Sequence, residues 1–383
     1  MLRFAVVSSM AYTGVLMRIL HLDTRPDWRG GQLQILLTLR GLRERGHQAQ
    51  LMARRDSPLA RRAAAEGFSV HLFPPRFLRL QAALCLREIL DQQPFDILHA
   101  HDPHALTAAW LARANRRSRL VVARRVAYPL SRAPLSLARY RAARRIIAVS
   151  QFVADSVIAS GMDSSRVAVV YDGVEIHALN TAEMRRSARA QWEIADHDLL
   201  IGCVGYLLPE KGQETLLRAL PHIRKQFPHC RVILAGDGPS RAKLQSLARE
   251  LGIGDAVIFA GFVEDVEAVY RALDLFVFPS LAEPLGSSLL TAMAHGLPVM
   301  AVASGGVPEI IESGRNGILV DSPDALKFAA AVCQVLDDPG EAARMAKTAR
   351  ETVERRFSAQ LLAENTLRQY QTILSTHDKF QQP

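Results

Sequence analysis

The stretch LFVFPSLAEPLGSSLLTAMAHGLPVMAVA, residues 275–303, contains two apolar runs separated by a sharp loop and a short helical pattern. Neither run shows the period-2 alternation of a half-exposed strand, as is typical of parallel strands covered on both faces. Pro284 biases Glu283 towards an extended backbone, Ser287 and Ser288 are good helix N-caps, and a glycine and a proline end the helix. The stretch therefore predicts a strand–helix–strand unit of a parallel sheet.

The same alternation runs through the whole chain, which predicts a doubly wound α/β protein. Predicted strands are residues 18–22, 48–52, 68–73, 96–100, 119–123, 145–150, 167–170, 199–205, 231–236, 256–261, 275–280, 298–303 and 317–320. Between them lie helical patterns such as GQLQILLTLRGLRERGH (31–47), which places Ile35, Leu36, Leu39 and Leu42 on one face and ends at Gly46.

A join near residues 175–185 separates two such series and predicts two Rossmann-like domains facing a central cleft. We place the N-terminal domain at residues 17–178 and the C-terminal domain at 183–357. Residues 1–16 resemble a weak signal peptide, but Ser8, Ser9 and Thr13 dilute the apolar run and no convincing cleavage site follows. We expect them to be a non-essential N-terminal extension.

The composition is that of a soluble globular protein, with 49% hydrophobic and 22% charged residues in a chain of 383, too long for one ordinary core. Its four cysteines are far apart and form no CxxC pair, which favours reduced thiols in the cytosol over disulfides or a zinc site. No apolar run reaches the roughly 18 residues that a membrane span requires.

Basic charge is concentrated in the N-terminal half. Residues 1–182 contain 26 arginines, no lysine and 13 acidic residues, and 11 of those arginines lie between Arg113 and Arg145. Three explanations are open: an ordinary solvated face, contact with an anionic membrane or lipid-linked acceptor, or nucleic acid. We favour the membrane or acceptor, and no nucleic-acid motif accompanies the charge.

Two motifs in the N-terminal half follow predicted strands. WRGGQLQ (28–34) places Gly30 and Gly31 where backbone N–H groups can approach a phosphate, although paired glycines are often only a turn. HAHDPHA (99–105) ends the fourth strand with three histidines, for which a metal site, a polar cleft residue or a structural role remain open. We expect these histidines to alternate across the strand faces, which argues against a metal, and we place His101 in the cleft.

The C-terminal half has matching features. VGYLLPEKGQ (204–213) places Lys211 before a helix, where a cation is disfavoured unless it has a function such as neutralising a leaving diphosphate. LAGDGP (234–239) and FAGFVED (259–265) are strand ends with glycines that we expect on the same edge of the sheet. DHD (196–198) is similar to a metal-binding DxD motif, but it precedes a strand, and we interpret it as a linker.

Together, the order and spacing of GG, HAH, EKG, AGDGP, GFV, EPLG–GLPV and GGVPEIIESGRNGILV resemble glycosyltransferase family 4 over nearly all of residues 17–374. The resemblance implies the GT-B fold, metal-independent transfer with retention of anomeric configuration and no cofactor. It also implies a nucleotide-sugar donor held mostly by the C-terminal domain, an acceptor held by the N-terminal one, and a C-terminal helix, 358–374, that crosses back to the first domain.

The resemblance also implies roles for residues. In the family two glutamates eight residues apart flank the donor loop, the first on the donor sugar and the second on the ribose; Glu283 matches the first, and Thr291 stands in place of the second. Tyr206 stands where an arginine usually contacts the diphosphate, which leaves that charge mainly to Lys211. His101 is expected to line the reacting sugar. The other residues expected to bind the donor are Gly30, Gly31, Gly236, Val263, Leu285, Gly286 and Ser287.

We therefore predict a glycosyltransferase that uses a nucleotide diphosphate sugar and a glycan or lipid-linked acceptor, in bacterial lipopolysaccharide or envelope polysaccharide biosynthesis. We expect it in the cytoplasm, at the inner face of the plasma membrane, without a nucleic-acid partner. Two alternatives remain: a catalytically silent scaffold of the same fold, and a nucleotide-sugar epimerase.

Overall fold

The computed structural model describes residues 16–75 and 78–375; the predicted N-terminal extension, apart from its last residue, lies outside them. Strands and helices alternate, and each of the thirteen predicted strands is confirmed to within a few residues. In the described residues no helix combines the length and the apolar character that crossing a membrane requires. The four cysteines, all within these residues, form no disulfide.

The first sheet has seven strands in the order β3-β2-β1-β4-β5-β6-β7. They are β1 (Arg18–Asp23), β2 (Gln48–Arg54), β3 (Val70–Phe73), β4 (Ile97–Ala100), β5 (Arg119–Arg124), β6 (Arg145–Ala148) and β7 (Val167–Val169). The helices between them are α1 (Gly30–Glu44), α2 (Pro58–Ala65), α3 (Leu78–Gln92), α4 (Pro103–Leu111), α5 (Pro134–Arg141) and α6 (Gln151–Ala159). The strand order reverses between β1 and β4, the point at which sheets of this type bind ligands.

The second sheet has six strands in the order β10-β9-β8-β11-β12-β13. They are β8 (Leu199–Val204), β9 (Cys230–Ala235), β10 (Val257–Gly261), β11 (Leu275–Phe278), β12 (Val299–Val302) and β13 (Ile318–Val320). The helices that precede and connect them are α7 (Ala182–Ala190), α8 (Gln213–Gln226), α9 (Arg241–Glu250), α10 (Val266–Ala272) and α11 (Ser287–Ala294), and those that follow are α12 (Ala325–Asp337), α13 (Pro339–Arg356) and α14 (Ala359–Ser375). Here the order reverses between β8 and β11.

The pattern of burial explains why the sequence forms these elements. All residues of β4, β11 and β12 are buried, because helices cover both faces of a parallel strand. Helix α1 buries Ile35, Leu36, Leu39 and Leu42 as predicted, and the chain leaves it through Gly46 with a φ of 80°. A left-handed backbone of this kind favours glycine, so Gly46 ends the helix.

By its internal contacts the chain forms two units. The first consists of residues up to Val122, Arg139–Arg145 and the residues from Thr366 on; the second consists of Ala123–Ala138 and Ile146–Asn365. The first unit therefore contains β1 to β4, and the second contains the whole six-stranded sheet.

Candidate active site

In the second unit the predicted residues Lys211 and Glu283 lie on the two loops that leave the point where the strand order reverses. Lys211 ends the single helical turn Pro209–Lys211 after β8, and Glu283 lies between β11 and α11. The Nζ atom of Lys211 lies 2.6 Å from Oε2 of Glu283. The sequence predicted each residue separately. Their pairing follows only from the neighbouring positions of β8 and β11.

Glu283 is held more firmly than Lys211. Its Oε2 also accepts a hydrogen bond from Ser280 Oγ at 2.9 Å, and the Ser280 carbonyl accepts one from Ser304 Oγ at 2.6 Å. The side chain of Glu283 is 9% exposed, whereas that of Lys211 is 27% exposed. A carboxylate with two donors is therefore fixed in place, while the ammonium group keeps a face towards solvent for an anion.

Glycines allow the loops around Glu283 to pack backbone against backbone. Gly305 has a φ of 53°, and a Cβ atom there would overlap the carbonyl oxygen of Glu283. A Cβ on Gly306 would overlap the carbonyl oxygen of Pro284, and the N–H of Gly306 donates to the Glu283 carbonyl at 3.0 Å. The backbone of the donor loop, residues 281–287, is thus fixed by glycines that tolerate no side chain.

The start of α11 corrects one prediction. Gly286, not Ser287 or Ser288, is the N-cap; its φ of 122° is a backbone conformation that only glycine adopts readily, and no side chain caps the helix. The first intrahelical bond runs from Leu290 N to Gly286 O, so the N–H groups of the preceding three residues have no acceptor within the helix. Uncapped amides at a helix N-terminus are suited to a phosphate group.

Thr291 lies one turn into α11. Leu290 and Met293, on the opposite face, are buried as predicted, and Thr291 is half-buried. Its Oγ1 donates to the Ser287 carbonyl at 3.0 Å. Because a hydroxyl oxygen can donate once and still accept, Thr291 keeps the ability to accept a hydrogen bond from a ribose hydroxyl.

The strand ends that carry the other predicted donor residues meet at one edge, as predicted. Gly236 N donates to Gly261 O at 2.7 Å, and Gly205 N donates to Ala235 O at 2.9 Å. Beyond them Val263 is half-buried, and Tyr206 is 39% exposed. Gly236 approaches its neighbour so closely that a Cβ atom there would overlap the Gly205 carbonyl oxygen.

His197 and Asp198 lie with His229 in a group whose ligand atoms are within 4.8 Å of one another, so the linker interpretation stays a prediction for residues 196–198. They form a turn before β8, in which Asp198 Oδ2 accepts a hydrogen bond from Ala195 N at 3.0 Å. The carboxylate closes its own turn at the strand's amino end, away from the edge where Lys211 and Glu283 lie.

Three residues of the second unit beside the donor loop were missed by the sequence analysis. Ser150, at the start of α6, donates from Oγ to the Pro284 carbonyl at 2.6 Å. Asp172 lies 3.0 Å from Nε of Arg125; burial raises the pKa of Asp172, Arg125 lowers it, and the charge of Glu283 raises it further. Burial also raises the pKa of the Cys203 thiol to about 12, so this neighbour of Lys211 stays protonated at neutral pH. Only their positions relative to the predicted strands could have indicated these residues: Ser150 follows β6, Asp172 follows β7 and Cys203 lies within β8.

In the first unit His101 belongs to a group of three neighbouring histidine rings, and its own ring stacks on that of His21. His21 and His99 are register partners on β1 and β4, and His21 Nδ1 lies 2.8 Å from His101 Nε2. The expectation that the histidines alternate across strand faces is wrong for His99 and His101, whose ring centroids are 4.1 Å apart, because residues two apart on a strand share a face. The three rings present nitrogens within 4.8 Å of one another, which a metal ion could use.

The other polar residues of this motif have structural partners. Asp102 caps α4 and accepts hydrogen bonds from His104 N and Ala105 N, and the backbone and hydroxyl of Thr24 also donate to it. His99 Nδ1 lies 2.6 Å from the hydroxyl of Tyr370 in α14. The sequence analysis did not single out His21. A comparison of the polar residues near the ends of the predicted strands could have found it.

The paired glycines stand at the start of α1, where Arg29 is the N-cap and Gly30 the first helical residue. A Cβ atom on Gly31 would have nothing within 4 Å, so the protein itself does not require glycine there. Asp23, at the end of β1, is buried and accepts a hydrogen bond from Gln32 Nε2 at 3.2 Å. Burial raises the pKa of Asp23 to about 8, and the nearby charge of Asp102 adds to the rise. The donor-binding role of Gly30 and Gly31 stays a prediction.

Two family models match the chain. A family model described as glycosyltransferase family 4 matches residues 28–178, and one described as glycosyl transferases group 1 matches residues 184–352. The D-inositol 3-phosphate glycosyltransferase of Mycolicibacterium smegmatis is 30% identical over 351 residues, which cover 81% of this chain and 79% of the relative.

Other relatives match over shorter segments. The lipopolysaccharide core biosynthesis glycosyltransferase LpsE of Rhizobium meliloti is 35% identical over 161 residues, 42% of this chain and 46% of the relative. The GDP-mannose-dependent alpha-(1-6)-phosphatidylinositol monomannoside mannosyltransferase of Mycolicibacterium smegmatis is 34% identical over 172 residues, 43% of this chain and 45% of the relative. The chain thus spans about half the length of these two relatives.

Among solved structures, that of Anabaena Alr3699/HepE in complex with UDP-glucose has a TM-score of 0.80 and 25% identity, covering 93% of this chain and 100% of that one. Its likeness extends over both sheets, and the inositol phosphate glycosyltransferase matches most of the sequence. The chain is a member of glycosyltransferase family 4 with the GT-B fold.

Proposed function

We propose that the protein transfers a sugar from a nucleotide diphosphate sugar to a glycan or lipid-linked acceptor. One observation carries the proposal: the ion pair of Lys211 and Glu283, 2.6 Å long, on the two loops at the reversal of strand order. A solvent-facing ammonium group and the uncapped amides of α11 suit a diphosphate. The fixed carboxylate of Glu283 suits a sugar hydroxyl, from which it can accept a charge-assisted hydrogen bond.

In the proposed reaction the bond between the anomeric carbon and the diphosphate oxygen breaks, and the electron pair stays with the diphosphate. Lys211 and the amides at the start of α11 stabilise the charge that develops there. Glu283 stabilises the positive charge that develops on the sugar. The acceptor oxygen bonds to the anomeric carbon on the same face, its proton passes to the departing phosphate oxygen, and configuration is retained. We propose that this needs no metal ion or cofactor; the role of His101 at the reacting sugar stays a prediction.

Relatives support the donor class without fixing the base. The name of one specifies GDP-mannose, and the structure of another contains UDP-glucose. We extend the proposal to lipopolysaccharide or envelope polysaccharide biosynthesis, supported by the lipopolysaccharide core relative. Exposed arginines between Arg113 and Arg145, namely Arg113, Arg116, Arg117, Arg132 and Arg141, support contact with an anionic membrane surface.

The test is a thermal-shift screen of the full chain against UDP-, GDP-, ADP- and dTDP-linked sugars. A ligand at 100 times its Kd stabilises the folded state by about 2.7 kcal/mol. We expect a shift with at least one nucleotide sugar, lost in Lys211→Met. Lys243→Met is the matched control, since Lys243 forms a surface ion pair of 2.7 Å with Glu214 in the same unit.

Two outcomes would contradict the proposal. Absence of a shift with every nucleotide sugar would favour a silent scaffold. Conversion of the donor to an epimer in the absence of any acceptor, detected by product analysis, would favour the epimerase.

A further inference from the structure

Three arginines from three different elements of the first unit surround the start of α4. Arg25 follows β1, Arg79 lies in the first turn of α3, and Arg139 lies in α5. We name these residues the arginine cluster. Arg79 is exposed, Arg25 has a side chain that is 41% exposed, and Arg139 is half-buried.

Hydrogen bonds fix the position of each member. Arg79 Nε donates to His104 Nδ1 at 2.9 Å, and Arg139 Nη1 donates to Thr107 Oγ1 at 2.5 Å, one turn further along the same face of α4. Thr24 N donates to Asp102 Oδ2 at 2.7 Å, which places the following residue, Arg25, beside the start of the helix.

Two acidic groups lie nearby, and one of them is paired with a member of the cluster. Asp102 accepts hydrogen bonds from Thr24, His104 and Ala105, and Asp27 forms ion pairs with Arg25 and Arg29. His104 Nδ1 accepts the hydrogen bond from Arg79 Nε, so this nitrogen carries no proton in that arrangement. Burial lowers the pKa of His104; the charges of Arg79, Arg25 and Arg139 lower it further, against an opposing effect of Asp102.

Two carboxylates lie beside the three guanidinium groups, Asp27 as the partner of Arg25 and Asp102 as the cap of α4, and the remaining excess of positive charge favours an anion that joins the arginines. The guanidinium fork matches the geometry of phosphate oxygens. We propose that the arginine cluster, with His104 Nε2 as a further donor, binds a phosphate or diphosphate group, and that in turnover this group belongs to the acceptor. The second part rests on the proposed function; the first part does not.

The test follows His104 by NMR in the full chain with isotope-labelled histidine, using inorganic phosphate as the probe at constant ionic strength. A bound dianion favours imidazolium, so phosphate should shift the His104 signal and raise its pKa. The double variant Arg79→Gln with Arg139→Gln should weaken phosphate binding by about tenfold or more, the scale of losing a hydrogen bond to a charged group. The double variant Arg61→Gln with Arg87→Gln, which removes two exposed arginines of the same unit, is the matched control and should bind as the wild type does.

Two further arms identify the source of the phosphate. A soluble sugar phosphate and vesicles containing a polyprenyl diphosphate replace inorganic phosphate, and a response to either one supports the proposal and shows whether the group is free or lipid-borne. A His104 signal that responds to none of the three probes, or responds equally in the Arg79/Arg139 variant, overturns it.

Failure of this proposal can be distinguished from failure of the proposed function. Nucleotide-sugar binding, measured by calorimetry, should be unchanged in the Arg79/Arg139 variant, and the phosphate response of His104 should be unchanged in Lys211→Met. If nucleotide binding is intact while His104 does not respond, only the arginine cluster is excluded as a site.

Discussion

The two points where strand order reverses are built in different ways. In the first sheet the reversal point is filled by buried side chains of the strands themselves, namely His21, His99 and Asp23. In the second sheet backbone predominates, and the loops around Glu283 pass so close together that glycines such as Gly305 tolerate no Cβ. A site made of backbone amides suits a phosphate group that differs little between donors, whereas side chains can change to suit different acceptors. We therefore expect the C-terminal half of the sequence to carry the motif that can be recognised, and the site residues of the N-terminal half to vary.

The most direct test of the second region is a substitution of its carboxylate, Glu283. We expect Glu283→Gln to keep the fold and to lower turnover by roughly 10² or more, the scale of losing one electrostatic contact to the transition state. Glu312→Gln, which removes an exposed carboxylate paired with Arg315, is the control in a steady-state transfer assay. Turnover at the wild-type level in Glu283→Gln would remove this residue from the active site.

A pair of glycine substitutions separates the backbone-built region from the other. Gly305→Ala should cost about 2 to 4 kcal/mol of unfolding free energy, because it adds a strained φ and an overlap with the Glu283 carbonyl. Gly31→Ala should instead be neutral or stabilise by about 0.5 to 1 kcal/mol, since it lies in a helix with open space around it. Denaturant unfolding of both variants measures the contrast, and similar costs for the two would abolish it.

Gly31→Ala also tests the predicted phosphate contact at the start of α1. If a ligand approaches the backbone of Gly31, the variant should lose affinity for the nucleotide sugar while keeping its stability. Unchanged affinity in a calorimetric titration would assign the paired glycines to helix initiation alone.

In the first region, which is built from side chains, we expect the free energy of unfolding to depend on pH. The folded-state pKa of Asp23, about 8, lies above its ordinary value of 3.8, so its contribution to stability is complete below about pH 4 and is lost as pH rises towards 8. Asp23→Asn removes this dependence. Its stability relative to the wild type should rise between pH 4 and 8 by on the order of 1 kcal/mol per unit and then level off. A difference between Asp23→Asn and the wild type that stays flat from pH 4 to 8 would show that Asp23 is ionised in the fold.

The smallest expected effect concerns Thr291. A carboxylate accepts from ribose hydroxyls more strongly than a hydroxyl does, so Thr291→Glu should tighten nucleotide binding by on the order of 1 kcal/mol. Thr291→Val, which keeps the shape and removes the hydroxyl, should weaken it. If calorimetry shows no change in either variant, the ribose is held elsewhere and the hydroxyl of Thr291 serves only its bond to Ser287.

Local patterns in the sequence were enough to predict the strands, the helix faces and the two loops after β8 and β11, because each depends on residues close in the chain. The pairing of Lys211 with Glu283 could not be predicted in the same way, since it depends on which strands become neighbours. The N-cap of α11 was misassigned because serine is the usual choice at that position, whereas the chain geometry of the loop requires the φ of Gly286. His21 was missed because its importance comes from its register with His99 on another strand.

The hydrogen bond between His99 and the Tyr370 hydroxyl joins residues 271 positions apart. At synthesis rates of about 5–20 residues per second, Tyr370 is made roughly 15 to 50 seconds after His99. Throughout that interval the first unit lacks its last segment, although every strand of the seven-stranded sheet exists once Val169 has been made. The six-stranded sheet also comes from one continuous stretch of chain, and that stretch ends at Val320, before Tyr370 is made. The second unit can therefore complete its sheet on the ribosome, whereas the first unit, although its translation begins earlier, is completed last.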